Sequence, residues 1–122
     1  MAVTTEQNSD HGFTPPGIIK VSPAALEFAR DFDETVKQRG RWVVTFDWAH
    51  AMSVRRGPDE LSEDIGACLI LGAYKRHQVP TGFTETVSGV EFAVKIPRDV
   101  WEKSVHRLID IDEALLFKLA LR

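Results

Sequence analysis

Asp47 and His50 are the residues in this chain whose types and spacing come nearest to a chemical site. An aspartate that orients an imidazole recurs in acid–base and metal sites, because it fixes the tautomer and the ring direction. On an extended strand, residues three apart point to opposite faces, so the two meet only if the chain bends between them. Without that bend Asp47 is a surface aspartate beside a part-exposed histidine. His77 is the third candidate, from a loop further along. His50, His77, His106 and Cys68 lack the short fixed intervals at which metal motifs place their ligands. Asp47, His50 and His77 thus form a candidate site for a small molecule or a metal, with no catalytic residue assigned. No phosphate-cradling glycine loop and no Gly-x-Ser-x-Gly nucleophile turn occurs, and no cofactor is expected.

Cys68 is the only cysteine. It falls in an apolar stretch, where cysteine behaves as a small hydrophobe, so it is expected to be buried and slow to react. A reactive thiol needs nearby positive charge. A lone cysteine also excludes an internal disulfide and a Cys-rich zinc site, which fits a reducing compartment or indifference to redox. Trp42 and Trp48 share parity on one predicted strand and should face the same side. They read as core, or as the wall of an aromatic pocket or interface.

The elements around these residues follow from local pattern. Residues 1–17 are polar and end in Thr14-Pro15-Pro16-Gly17, which predicts a disordered N-terminal head with Phe13 as its only local anchor. A single domain is expected over residues 18–122. Ile18-Ile19-Lys20-Val21 reads as a strand. Ser22-Pro23 then starts a helix, since a serine hydroxyl accepts from free first-turn N–H groups and proline at the first position loses nothing. Ala25, Phe28, Ala29, Phe32 and Val36 make its apolar stripe, and Gly40 stops it, giving a helix over 23–39.

Residues 41–48 alternate as a central strand that can continue extended to 54. Residues 59–64 are acidic and admit a loop or a short helical turn. Further strands are expected over 68–71 (reaching 74), 83–87, 90–96 and 108–112, with a tight Ser88-Gly89 hairpin and a short helix over 98–104. Residues 115–121 alternate as a strand, although leucine, lysine and alanine equally favour a helix. The sum is an α+β fold, with mixed or antiparallel sheets and one long helix after the first strand.

Size and charge narrow the function. The chain has 122 residues, with 43% hydrophobic and 27% charged, which is one ordinary globular domain. Acidic residues exceed basic ones, 18 to 15, for a net charge of −3, so the basic excess of a nucleic-acid binder is missing. No run approaches the about 20 apolar residues that span a bilayer. No basic, then apolar, N-terminus marks a secretion signal. A cytoplasmic protein without nucleic-acid or membrane partners is expected.

Two stretches resemble the A-type iron–sulfur carriers, the HesB-like family. One is Ile18-Ile19-Lys20-Val21-Ser22-Pro23-Ala24-Ala25-Leu26 with the helix and strand after it. The other is Gly89-Val90-Glu91-Phe92-Ala93-Val94, then a helical turn, an aspartate-bearing strand and a closing strand. The resemblance implies a HesB-like domain. The family holds its cluster with a cysteine in the loop after the second strand and a Cys-x-Cys pair near the C-terminus. The corresponding loop here, residues 49–53, has no cysteine, and no Cys-x-Cys occurs. Cys68 matches neither position, so no family residue carries over. The resemblance implies a degenerate member that has lost its cluster and acts through protein–protein contacts, with self-association as a homodimer expected. The alternative is the small-molecule- or metal-binding protein, with or without enzymatic activity, that would use Asp47 and His50.

Overall fold

The structure, a computed structural model, describes residues 12–35, 41–55 and 57–122. The described residues form seven strands and two α-helices. In chain order they are β1 (Lys20–Val21), α1 (Pro23–Thr35), β2 (Trp42–Val54), β3 (Glu63–Lys75), β4 (Thr84–Val87), β5 (Val90–Lys95), α2 (Arg98–Glu102), β6 (Leu108–Ile111) and β7 (Leu119–Leu121). A 3-10 turn spans Arg76–Gln78. The fold is α+β, with two mixed sheets and one helix directly after the first strand.

Ser22 starts α1 as its residue type predicts. Its Oγ accepts from the Ala25 N–H at 3.1 Å and its carbonyl accepts from the Leu26 N–H at 2.9 Å. Ala25, Leu26 and Ala29 are buried, with Phe28 and Phe32 packed beside them. The expected helical residues beyond Thr35, with Val36 and the Gly40 stop, lie outside the described residues.

The larger sheet has the order β3-β2-β5-β4, with β2 and β5 parallel and the other pairs antiparallel. Ser88 and Gly89 close the β4–β5 hairpin with φ of 52° and 80°. Both residues left-handed is the two-residue geometry that matches the strand twist. The smaller sheet, β1-β6-β7, pairs β1 and β6 in parallel and β6 and β7 antiparallel.

The core lies on one face of the larger sheet. Val44, Phe46, Phe92 and Val94 pack there against Ala25 and Ala29 of α1, Ile109 of β6 and Leu119 of β7. Phe46 and Phe92 meet edge to face, 5.6 Å between centroids. Truncating either to alanine is of the kind that costs about 3–5 kcal/mol. On the opposite face Val43 and Ala93 are covered by Phe13 and Val79.

That second layer moves the expected N-terminal boundary. A head disordered through residue 17 does not fit residues 13 and 14: Phe13 is 4% exposed and Thr14 is 2% exposed. Thr14 donates its N–H to the Val94 carbonyl at 2.7 Å. Its hydroxyl donates to the Ile96 carbonyl at 3.0 Å and accepts from the Ile96 N–H at 3.1 Å. The segment rides along β5 because Phe13 finds an apolar seat and Thr14 satisfies backbone groups that the end of β5 leaves open. Residues 1–11 of the expected head lie outside the described residues.

Three other expectations shift. The loop that the HesB-like resemblance places at residues 49–53 is extended chain within β2, which runs to Val54 as the residue pattern allowed. The acidic residues 63 and 64 are strand rather than loop or helical turn, because Glu63 and Asp64 pair with Val54 and Ser53. Of the terminal strand expected over 115–121, only Leu119–Leu121 is strand. Asp112 turns the chain before it: its carboxylate accepts from the Ala114 N–H at 3.0 Å, and Lys118 is left-handed at φ 60°.

Candidate functional site

Asp47 sits on β2, half-buried, on the Val43 and Thr45 side of the sheet. Both its carboxylate oxygens are engaged. Oδ2 accepts from the Tyr74 hydroxyl at 2.6 Å, and Oδ1 accepts from the Trp48 N–H at 2.8 Å. Lys95, the cross-strand neighbour of Asp47 on β5, places its Nζ 5.2 Å from the Tyr74 ring centre and 5.7 Å from that of Phe13. Phe13 and Tyr74 stack edge to face at 5.5 Å. Burial first, then the hydrogen bond and charge of Asp47, push the Tyr74 phenol up to about 12. The phenol keeps its proton at neutral pH and donates a hydrogen bond to the Asp47 carboxylate, which ties β3 to β2.

His50 is exposed on β2, where the ladder to β3 shifts register between Ala49 and Met52. The pairing is irregular there while the strand continues, and the Asp47 carboxylate is already bound to Tyr74 and to the Trp48 N–H. His77 is exposed on the 3-10 turn, and His106 is exposed ahead of β6. Among the described residues no group of three His, Cys, Asp or Glu side chains could hold a metal ion. Tyr74 and Lys95, the actual neighbours of Asp47, carried no local signal in the sequence.

Cys68 is half-buried in β3 rather than fully buried. Burial pushes its thiol above the ordinary value. It borders a cleft of about 500 Å³. Trp48 of β2, Leu69 of β3, Val100 of α2 and Leu119 of β7 form its walls, and Lys103 and Ser104 line it just after α2. Leu115 and Leu116 also line it and stand 44% and 59% exposed. The volume falls within the range of small-molecule sites, and mostly apolar walls with few polar groups are their usual composition. Trp48 thus lies on a cleft wall while packing against the core. Lys103, Leu115 and Leu116 were not singled out by their local sequence.

No helix among the described residues is long and apolar enough to cross a membrane. Compared with protein-family models, with curated proteins and with solved structures, the chain matches none.

Proposed function

We propose that this chain is a non-catalytic, HesB-like binding domain that acts through protein contacts, and that its first partner is a second copy of itself. The observation that carries this reading is the outer edge of β3. β3 is the terminal strand of its sheet and is 13 residues long. The Arg76 N–H donates to the Arg41 carbonyl at 2.8 Å, on the β2 side. In an antiparallel ladder the backbone groups alternate in direction, so those of Lys75, Ala73, Leu71 and Leu69 point away from β2. The Lys75 N–H does so, donating to the Gln78 side chain at 3.0 Å. Such an edge is a template for another strand.

The edge is also self-complementary. It begins with Glu63 and Asp64 and ends with Lys75. An antiparallel copy, related by a two-fold axis, sets each acidic end against a basic end. The strand-helix-strand opening agrees with the HesB-like resemblance. The single thiol per chain agrees with a domain that no longer carries a cluster.

Sedimentation across micromolar concentrations tests the reading. The wild-type chain should sediment as a dimer, Lys75→Glu should dissociate it, and the double variant Glu63→Lys/Lys75→Glu should restore it. A wild-type protein that stays at 13.7 kDa throughout overturns the proposal.

A further inference from the structure

The cleft bordered by Trp48 and Leu119 takes Ile65, Ala67, Cys68 and Leu69 of β3 as part of its lining, and its chemistry is specific. Its walls are apolar, yet Lys103 lines it, and no carboxylate lies within ion-pair distance of the Lys103 ammonium among the described residues. Other basic side chains nearby are committed. Arg98 pairs with Glu102 at 3.1 Å, and Arg122 reaches Asp110 and Asp112 at 3.7 Å. Ser104, next in the chain, accepts from the Arg107 N–H at 2.9 Å and keeps its hydroxyl hydrogen to donate. A lysine and a hydroxyl donor, adjacent in the chain, therefore both line an apolar cleft, with no acidic side chain among its lining residues.

We propose that this cleft binds a small amphipathic carboxylate, a medium-chain fatty acid or a compound of that shape. The alkyl chain lies against Trp48, Leu69, Val100 and Leu119. The carboxylate faces the Lys103 ammonium and accepts from the Ser104 hydroxyl. The apolar walls supply affinity in proportion to the chain buried, and the head-group pair supplies direction and selectivity. The half-exposed Leu115 and Leu116 give the alkyl chain a partly open flank, so chain length is tolerated more than head-group charge is.

The test uses three probes of one chain length: decanoate, decan-1-ol and decylamine. Binding is read by tryptophan fluorescence, with Trp48→Phe identifying the signal from the cleft. The wild-type protein should bind decanoate tightest, the alcohol next and the amine weakest. Lys103→Ala should weaken decanoate by roughly two- to fivefold, the range of an exposed ion pair, and leave the alcohol unchanged. Lys103→Glu, a surface change that leaves the apolar walls intact, should invert the order of decanoate and decylamine. Protection of Cys68 from a thiol reagent by decanoate is the second measurement. A saturable fluorescence change with the order inverted by Lys103→Glu supports the proposal. No saturable change with any probe, or a head-group order that Lys103→Glu leaves untouched, overturns it.

Discussion

The Tyr74 hydroxyl donates a 2.6 Å hydrogen bond to the Asp47 carboxylate across 27 residues of sequence. It ties the end of β3 to the middle of β2 on the face that Phe13 covers. Tyr74 is the only tyrosine, so its ionisation can be followed alone. Its phenol is pushed up from 10.0 to about 12, chiefly by burial and then by Asp47. Between those two values the folded state holds a proton that the unfolded state has released. The contribution to stability is therefore complete below pH 10.0 and is lost as pH rises toward about 12. Ultraviolet titration should place the native midpoint near 12. Asp47→Asn should move the midpoint down, by removing the charge. An ordinary midpoint in the native protein would contradict the bond.

Thr14 should matter more than its place near the N-terminus suggests. Its hydroxyl and N–H satisfy three backbone groups of Val94 and Ile96 in a buried setting. Thr14→Val keeps the shape and removes the hydroxyl, leaving the Ile96 N–H and carbonyl without that partner. A loss of about 2 kcal/mol is expected from urea unfolding. An unchanged midpoint would mean that the segment contributes nothing to the fold.

Ser22 links the start of α1 to β6. Its hydroxyl donates to Asp110 Oδ1 at 2.6 Å while its oxygen accepts from the Ala25 N–H. The Ser22 hydroxyl first, then the Ile111 N–H and the charge of Arg122, hold the Asp110 carboxyl below its ordinary value. A carboxyl lowered in the folded state adds stability above the ordinary carboxylate range, and that stability is lost as pH falls through the lowered value. Ser22→Ala should cost about 1 kcal/mol through the lost helix cap. It should also raise the Asp110 carboxyl, which a carbon-detected NMR titration reads directly. An Asp110 midpoint indifferent to the substitution would remove Ser22 as the cause.

What the sequence made legible is what neighbouring residues decide. Ser22-Pro23 starts a helix and Ser88-Gly89 turns a hairpin through interactions within a few residues, and both occur where their chemistry predicts. Each of the seven strands overlaps a stretch read as strand from local pattern, although the last read equally as helix and only Leu119–Leu121 of it is strand. Glu63 and Asp64 were not legible as strand, because two acidic residues have poor strand propensity. They are strand because β2 runs long enough to pair with them, with Ser53 donating to Asp64 at 2.6 Å. The site fared worse. Asp47 was singled out, but its true partner lies on another strand, and no spacing announces a Tyr74 contact. The cleft joins β2, β3, α2 and β7, so only the folded topology brings its walls together.

Cys68 offers the sharpest check on whether this region is a quiet wall or a reactive centre. Burial raises its thiol from 9.0, and no cation is among the causes acting on it. Only the thiolate attacks a disulfide reagent, so a raised thiol is mostly inert at neutral pH. The side chain is half-buried, and access is therefore partial as well. Both effects slow the reaction, but they separate by pH. Low thiolate content gives a rate that climbs about tenfold per pH unit until the thiol titrates, whereas steric closure lowers the rate by the same factor at every pH. Native labelling with a disulfide reagent at neutral pH should be slower than in urea, and should climb steadily to beyond pH 9.0. Labelling that is as fast as in the unfolded chain, and flat with pH, would mean an activated thiol. It would move the site from a binding cleft toward nucleophilic chemistry at Cys68.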